Sequence, residues 1–281
     1  MLEFNMIVVD AEKCTGCGLC VRICHEHCIA LVDGSVSVDD EYCSTCTQCI
    51  AVCPRQAVSW DGIQPEAYEK RRLPSADQLD ELFKERRTIR FFRGDRIHRT
   101  LLEEIVGYGI CAPTNNFELR AIVVDDGTVI EDLDGIIQQW NTRIYNTFYK
   151  PRIVRGLLRR FWPKRDYLQA RPKLEAALEA GRAIPQLAAM VFIVGDRRTP
   201  LSVDSAQYAL YNMMLYAQVK GIGSCLWGPG RIFLNKSKSA RERLGLGKHE
   251  RIFGAVLLGY PAVRFRNKVE GKTLSIQWNR G

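Results

Sequence analysis

Apolar positions recur at helical spacing over several stretches of this 281-residue chain and gather into short unbroken runs elsewhere. Leu79, Leu82 and Phe83 share one face of a helix that Ser75 or Asp77 can cap and that ends at Arg86. Leu101, Leu102, Ile105 and Val106 mark a second helix from about Thr100 to Tyr108. A longer one, from Ser202 to Lys220, carries Ala206, Ala209, Leu210, Met213, Met214 and Ala217. Three runs read as buried strands: Ala121–Asp125, Ala189–Val194 stopped by Gly195, and Ile252–Leu258 ended by Gly259-Tyr260-Pro261. Between Gln64 and Ser75 the composition turns polar, as a linker does. Helices alternating with a few strands predict an α+β fold. No apolar run approaches the roughly 18 residues that span a membrane.

The chain holds 11 cysteines, and eight of them form two runs of identical spacing, 29 residues apart. The first is Cys14, Cys17, Cys20 and Cys24; the second is Cys43, Cys46, Cys49 and Cys53, followed by Pro54. A disulfide framework belongs to short secreted chains, and Met1–Val9 lacks the basic start and long apolar core of a secretory signal. Structural zinc favours pairs of cysteine hooks with longer spacers. The spacing resembles that of two-cluster bacterial ferredoxins, whose fourth cysteine ligates the other cluster. That resemblance implies two [4Fe-4S] clusters, one on Cys14, Cys17, Cys20 and Cys53, the other on Cys43, Cys46, Cys49 and Cys24. His25 stands where the pattern has proline in the first run. Eight ligating thiolates point to a reducing, cytoplasmic setting.

The net charge of +8 conceals an asymmetry. Residues 1–62 carry three basic and nine acidic side chains, a net of −6, and the remainder carries a net of +14. An acidic domain tethered to a basic one is expected to dock on it with salt-sensitive strength, in one chain or across a dimer. No nucleic-acid motif accompanies the basic charge, so nucleic acid is not expected as a partner.

Arg86, Arg87, Thr88 and Arg90, beside the first helix's end, combine guanidinium forks with a short hydroxyl donor, as a terminal phosphate requires. The competing reading is a basic helix end that complements the helix dipole. Further on come Ala112-Pro113-Thr114-Asn115-Asn116, the stretch Lys220–Gly228 containing Trp227-Gly228, and a basic tail after Gly259-Tyr260-Pro261. Taken in this order, residues 78–281 resemble the nitroreductase family of FMN oxidoreductases, and the whole chain resembles the subgroup with an N-terminal two-cluster ferredoxin module. The resemblance implies a ferredoxin-like domain at 1–62, a linker at 63–77 and an FMN domain at 78–281 with a central mixed sheet flanked by helices. It assigns Arg86, Arg87, Thr88 and Arg90 to the FMN phosphate and ribityl chain. Pro113, Thr114, Asn116, Trp227 and Gly228 fall beside the flavin, and Lys272 completes the phosphate site, with Arg266 and Lys268 behind it. The loop after Ala112 is one residue short of the family pattern and lacks its glutamine; Trp227 stands where many relatives are acidic.

From Arg143 to Lys173 ten basic residues and one acid, Asp166, alternate with aromatics such as Tyr149, Phe161, Trp162 and Tyr167. Three readings remain open: a solvated helical excursion, a lid over the flavin with cations for an anionic substrate, and a basic amphipathic helix on a membrane surface. Cys28, Cys111 and Cys225 are left over and read as small buried hydrophobes.

The resemblance implies an FMN-dependent oxidoreductase and an obligate homodimer with FMN at the interface. Electrons from the clusters, supplied by reduced ferredoxin or NAD(P)H, reduce a small organic acceptor of nitro, quinone or enone type. Two alternatives stand beside it. In one, NAD(P)H is oxidised and the clusters carry electrons outward. In the other, the chain is a non-catalytic electron carrier or redox sensor.

Overall fold

The computed structural model describes residues 7–113, 119–161, 164–183, 186–199, 201–269 and 274–279. Two compact units emerge, one running to Pro74 and the other beginning at Ser75.

In the first unit β1 (Ile7–Val9) is followed by helix α1 (Leu19–Ile23), the hairpin β2 (Ile29–Val32) and β3 (Ser35–Val38), helix α2 (Gln48–Val52) and β4 (Val58–Trp60). Strand β4 returns to pair antiparallel with β1, Val9 opposite Val58. The hairpin turns on Asp33 and Gly34, both at positive φ; such a pair matches the twist of the flanking strands. The buried cluster of this unit joins Ile7, Ile29 and Val58 with Cys20, Cys24, Cys28 and Cys49. So few apolar side chains make a marginal core, of the kind that needs metal to hold it. Beyond β4 a single 3-10 turn, Lys70–Arg72, is tied by the Arg72–Glu69 ion pair at 2.6 Å.

The second unit opens with α3 (Ala76–Glu85), where Ser75 accepts from the Gln78 N–H and the Gln78 side chain accepts from the Ser75 N–H. This reciprocal box fixes the start that Ser75 announced. Then come α4 (Arg99–Gly107), β5 (Arg120–Val124), α5 (Gly127–Ile144), a π-turn at Tyr145–Tyr149, α6 (Arg152–Phe161) and α7 (Lys164–Glu179). They are followed by β6 (Ala189–Asp196), α8 (Ser202–Val219), β7 (Gly223–Leu226), a second π-turn at Gly230–Leu234, α9 (Lys238–Arg243) and β8 (Glu250–Gly259).

The sheet order is β5-β6-β8-β7. Where the family resemblance implies a mixed sheet, every pairing among the described strands is antiparallel. On β6, Met190, Phe192 and Val194 enter one buried cluster with α5 residues Leu133 and Ile137. Ala189, Val191 and Ile193 enter the other, with α8 residues Ala206, Leu210 and Met213. A strand covered on both faces has no polar side, so its sequence is an unbroken apolar run. Gly195 does not stop the strand, which continues to Asp196. A Cβ there would lie 2.9 Å from the Phe253 ring and 3.0 Å from Leu119, so the glycine serves close packing. Strand β7 and helix α5 have no counterpart among the elements expected from sequence.

The basic segment is helical through α6 and α7. On α6 Ile153, Leu157 and Phe161 are exposed at a spacing of one helical turn. Among the described residues no helix is long and apolar enough to cross a membrane.

Candidate functional site

The first unit builds two small cavities of nearly equal size. One is lined by Cys14, Cys17, Cys20 and Cys53, the other by Cys24, Cys43, Cys46, Cys49 and also Cys28. The crossing of the fourth cysteine follows from the local backbone. Gly18 and Thr47 take left-handed conformations ahead of α1 and α2, and Cys24 and Cys53 leave the helix ends in extended conformation. Each run therefore wraps three thiols round its own cavity and sends the fourth across to the other. Gly16 is also left-handed, and a Cβ there would meet Gly34 O at 2.9 Å, which reserves that turn for glycine.

Among the described residues no three metal-ligating side chains converge closely enough to hold a single ion. A cubane cluster presents one iron to each thiolate, so its four sulfurs stand apart around a cavity, and this donor set fits such a group. Burial pushes the Cys49 thiol up to about 11. Burial, reinforced by Cys24 and Cys43, pushes Cys28 up to about 12. These thiols ligate only when a cation displaces their protons.

In the second unit the chain from Arg87 to Arg93 is extended and threaded between β7 and the segment after β8. The Ile89 N–H donates to Ser224 O at 2.9 Å, Arg93 N–H to Tyr260 O at 3.0 Å, and Ala262 N–H to Phe91 O at 2.9 Å. Two glycines admit it. A Cβ on Gly223 would lie 2.8 to 2.9 Å from three Ile89 side-chain atoms, and one on Gly259 would meet the Phe92 ring at 2.6 Å.

A cleft opens beside this segment. Arg87, Ile89, Gly221, Ser224, Pro261 and Arg264 are among its lining residues. The Arg87 guanidinium also donates to Lys84 O at 2.6 Å and to Arg86 O at 2.8 Å, closing the end of α3. The same side chain thus completes the helix end and lines the cleft. Arg86 and Thr88 are half-buried beside it, and Arg90 is exposed. The Arg90 charge reaches Cys225, whose thiol is nevertheless pushed up, because burial outweighs the cation.

Other residues named from sequence stand apart from the cleft lining. The Trp227 ring lies in the core, 4% exposed and packed against Gly230, while Gly228 and Pro113 are exposed. Thr114, Asn116 and Lys272 lie outside the described residues. Of the basic residues after β8, Lys268 is paired with Glu81, and Arg264 is the one that lines the cleft. Arg264 is one of several cations after Pro261, with Arg266 and Lys268, and the sequence does not single it out.

Comparison with known proteins follows the same division. The family model described as Nitroreductase family matches residues 83–260. One described as 4Fe-4S dicluster domain matches residues 13–57. Among solved structures, a nitroreductase with bound FMN from Desulfitobacterium hafniense DCB-2 is 16% identical, with a TM-score of 0.52 over 70% of this chain and 97% of its own. An FMN-bound nitroreductase from Bacteroides fragilis NCTC 9343 is 18% identical, with a TM-score of 0.50 over 71% and 98%. Iodotyrosine deiodinase bound to FMN and 3-iodo-L-tyrosine is 18% identical, with a TM-score of 0.52 over 72% and 99%. At such identities the likeness is one of fold. No curated protein matches the sequence.

Proposed function

This chain belongs to the nitroreductase family, and from that premise we propose an iron–sulfur flavoprotein oxidoreductase in which two [4Fe-4S] clusters supply electrons to FMN for two-electron reduction of a small organic acceptor. The observation that carries the reading is the crossed grouping of the eight cysteines of the two runs around two cavities, joined in one chain to a nitroreductase fold. When bound, the clusters supply one-electron transfer, and the flavin matches it to two-electron chemistry.

The remaining work falls to the chain. In this reading Arg87 and Arg264, which both line the cleft, hold the FMN phosphate, and Ser224 is part of the same lining. Gly221 and Gly223 also line the cleft, where they present backbone to the ligand. Arg86, Thr88, Arg90, Pro113, Thr114, Asn116, Gly228 and Lys272 keep the roles the family resemblance implies. Trp227, with its ring in the core, contributes through its backbone. Tethering gives the donor a high effective concentration at the acceptor domain. A homodimer is part of the proposal, supported by exposed Ile110, Tyr208 and Tyr211 on the second unit. A reducing cytoplasmic setting and a donor such as reduced ferredoxin or NAD(P)H complete it.

The test is FMN and iron per chain, measured by denaturing extraction of anaerobically purified protein. About one FMN and about eight irons, four for each cluster, are expected. Iron at that level without flavin sinks the reductase reading and leaves an electron carrier.

A further inference from the structure

The 29-residue repeat gives residues around one cavity counterparts around the other, and one pair of counterparts carries a thiol in one copy alone. Cys24 corresponds to Cys53, and Cys28 corresponds to Ala57. The two turns are alike: His27 and Gln56, just ahead of the mismatched residues, have φ of 55° and 52°. In the first cavity Ala57 lines the wall, and its N–H donates to Cys53 Sγ at 3.3 Å. In the second, Cys28 lines the wall with its Sγ 3.5 Å from Cys24 Sγ. It is buried, as Ala57 is. A small apolar filler is the ordinary role of a buried cysteine, but alanine already fills the same turn in the other copy. The second cavity therefore offers five thiols to a group that takes four.

We propose that Cys28 is a reserve ligand of the second cluster, able to take the iron held by Cys24, and that the first cluster has no such reserve. The inference rests on the two-cluster reading above. In the exchange the iron–sulfur bond to Cys24 breaks and one to Cys28 forms. The Cys28 thiol proton passes over the 3.5 Å gap to the departing Cys24 sulfur. No electron moves, and the cluster keeps its charge.

The test compares iron content and the electron paramagnetic resonance of dithionite-reduced protein across matched variants of the full chain. Wild type and C28A are expected to hold about eight irons. C24A is expected to keep both [4Fe-4S] signals, with that of the second cluster shifted, whereas C24A/C28A loses that signal. C53A is expected to lose the first cluster, and C53A/A57C to regain it, because the added thiol recreates the reserve. The proposal is overturned if C24A loses the second cluster as completely as C24A/C28A does, or if C28A alone loses it. Should C24A fail to accumulate, C53A/A57C decides, and no recovery over C53A overturns the idea. Wild type without eight irons refutes the two-cluster reading instead.

Discussion

The Arg87 guanidinium donates to Lys84 O and Arg86 O while lining the cleft, so its removal costs α3 a cap as well as the cleft a cation. Arg264 lines the same cleft, and no hydrogen bond to it is recorded among the described residues. The two substitutions should therefore separate. R264A is expected to weaken FMN retention roughly 10- to 100-fold, the scale of one charge-assisted hydrogen bond at about 1.5–3 kcal/mol, with little change in melting. R87A is expected to lower both. Equilibrium dialysis of FMN beside thermal melting of the apoprotein measures the pair; unchanged affinity in R264A removes it from the phosphate site. Asp134 makes a different case. It is 8% exposed and accepts from the Ala183 N–H at 3.0 Å. Burial raises its carboxyl above the ordinary value, and the Ala183 N–H and Arg182 offset only part of that. Stability from a group raised in the folded state is present at low pH and lost as pH rises through its folded pKa. D134N should therefore lose less stability than wild type between about pH 4 and neutrality. Urea melts followed by tryptophan fluorescence at several pH values test this, and parallel curves would count against it.

At the scale of elements, the extended Arg87–Arg93 segment depends on Gly223 and Gly259. G223A forces a Cβ into Ile89, whose backbone is held by Ser224 O, so neither partner moves freely. A loss of about 1–3 kcal/mol is expected from such overpacking, and Ile89→Ala added to G223A should recover part of it. Additive losses in that double mutant would show that the two residues are not coupled. At α3, S75A should cost about 1 kcal/mol by removing the box with Gln78. What the sequence disclosed follows the same physics. α3, α4 and α8 were legible because their apolar positions repeat at helical spacing beside a cap or a breaker. β6 and β8 were legible because burial on both faces leaves an apolar run. β7, Gly-Ser-Cys-Leu, has no such pattern, and its strand character comes from pairing with β8 and from Ile89 on its surface. Gly195 looked like a stop because its reason for being glycine lies across the sheet, at Phe253. The cysteine cavities were readable because the spacing resembles that of two-cluster ferredoxins, which implies that the fourth cysteine of each run crosses over. Arg264 was not, because several cations follow β8 and only the fold selects one for the cleft.

For the whole molecule, the opposed charges of residues 1–62 and the remainder, −6 and +14, predict electron delivery that weakens with salt. The screening length falls from about 10 Å at 0.1 M to about 3 Å at 1 M. Stopped-flow reduction of the flavin by the clusters should slow over that range, and a flat profile would show that the asymmetry plays no part.

Strand β8 lies between β6 and β7, although it comes last of the three in the chain. The sheet of the second unit thus cannot close until Gly259 has been synthesised, whereas every strand pair of the first unit is complete by Trp60. At roughly 5–20 residues per second, the ribosome leaves an interval of about 10–40 s between the two events. During it the cysteine module can fold and take up iron while the sheet still lacks its middle strand. Under the proposed function, a newborn chain would then acquire its clusters before the domain proposed to receive their electrons exists.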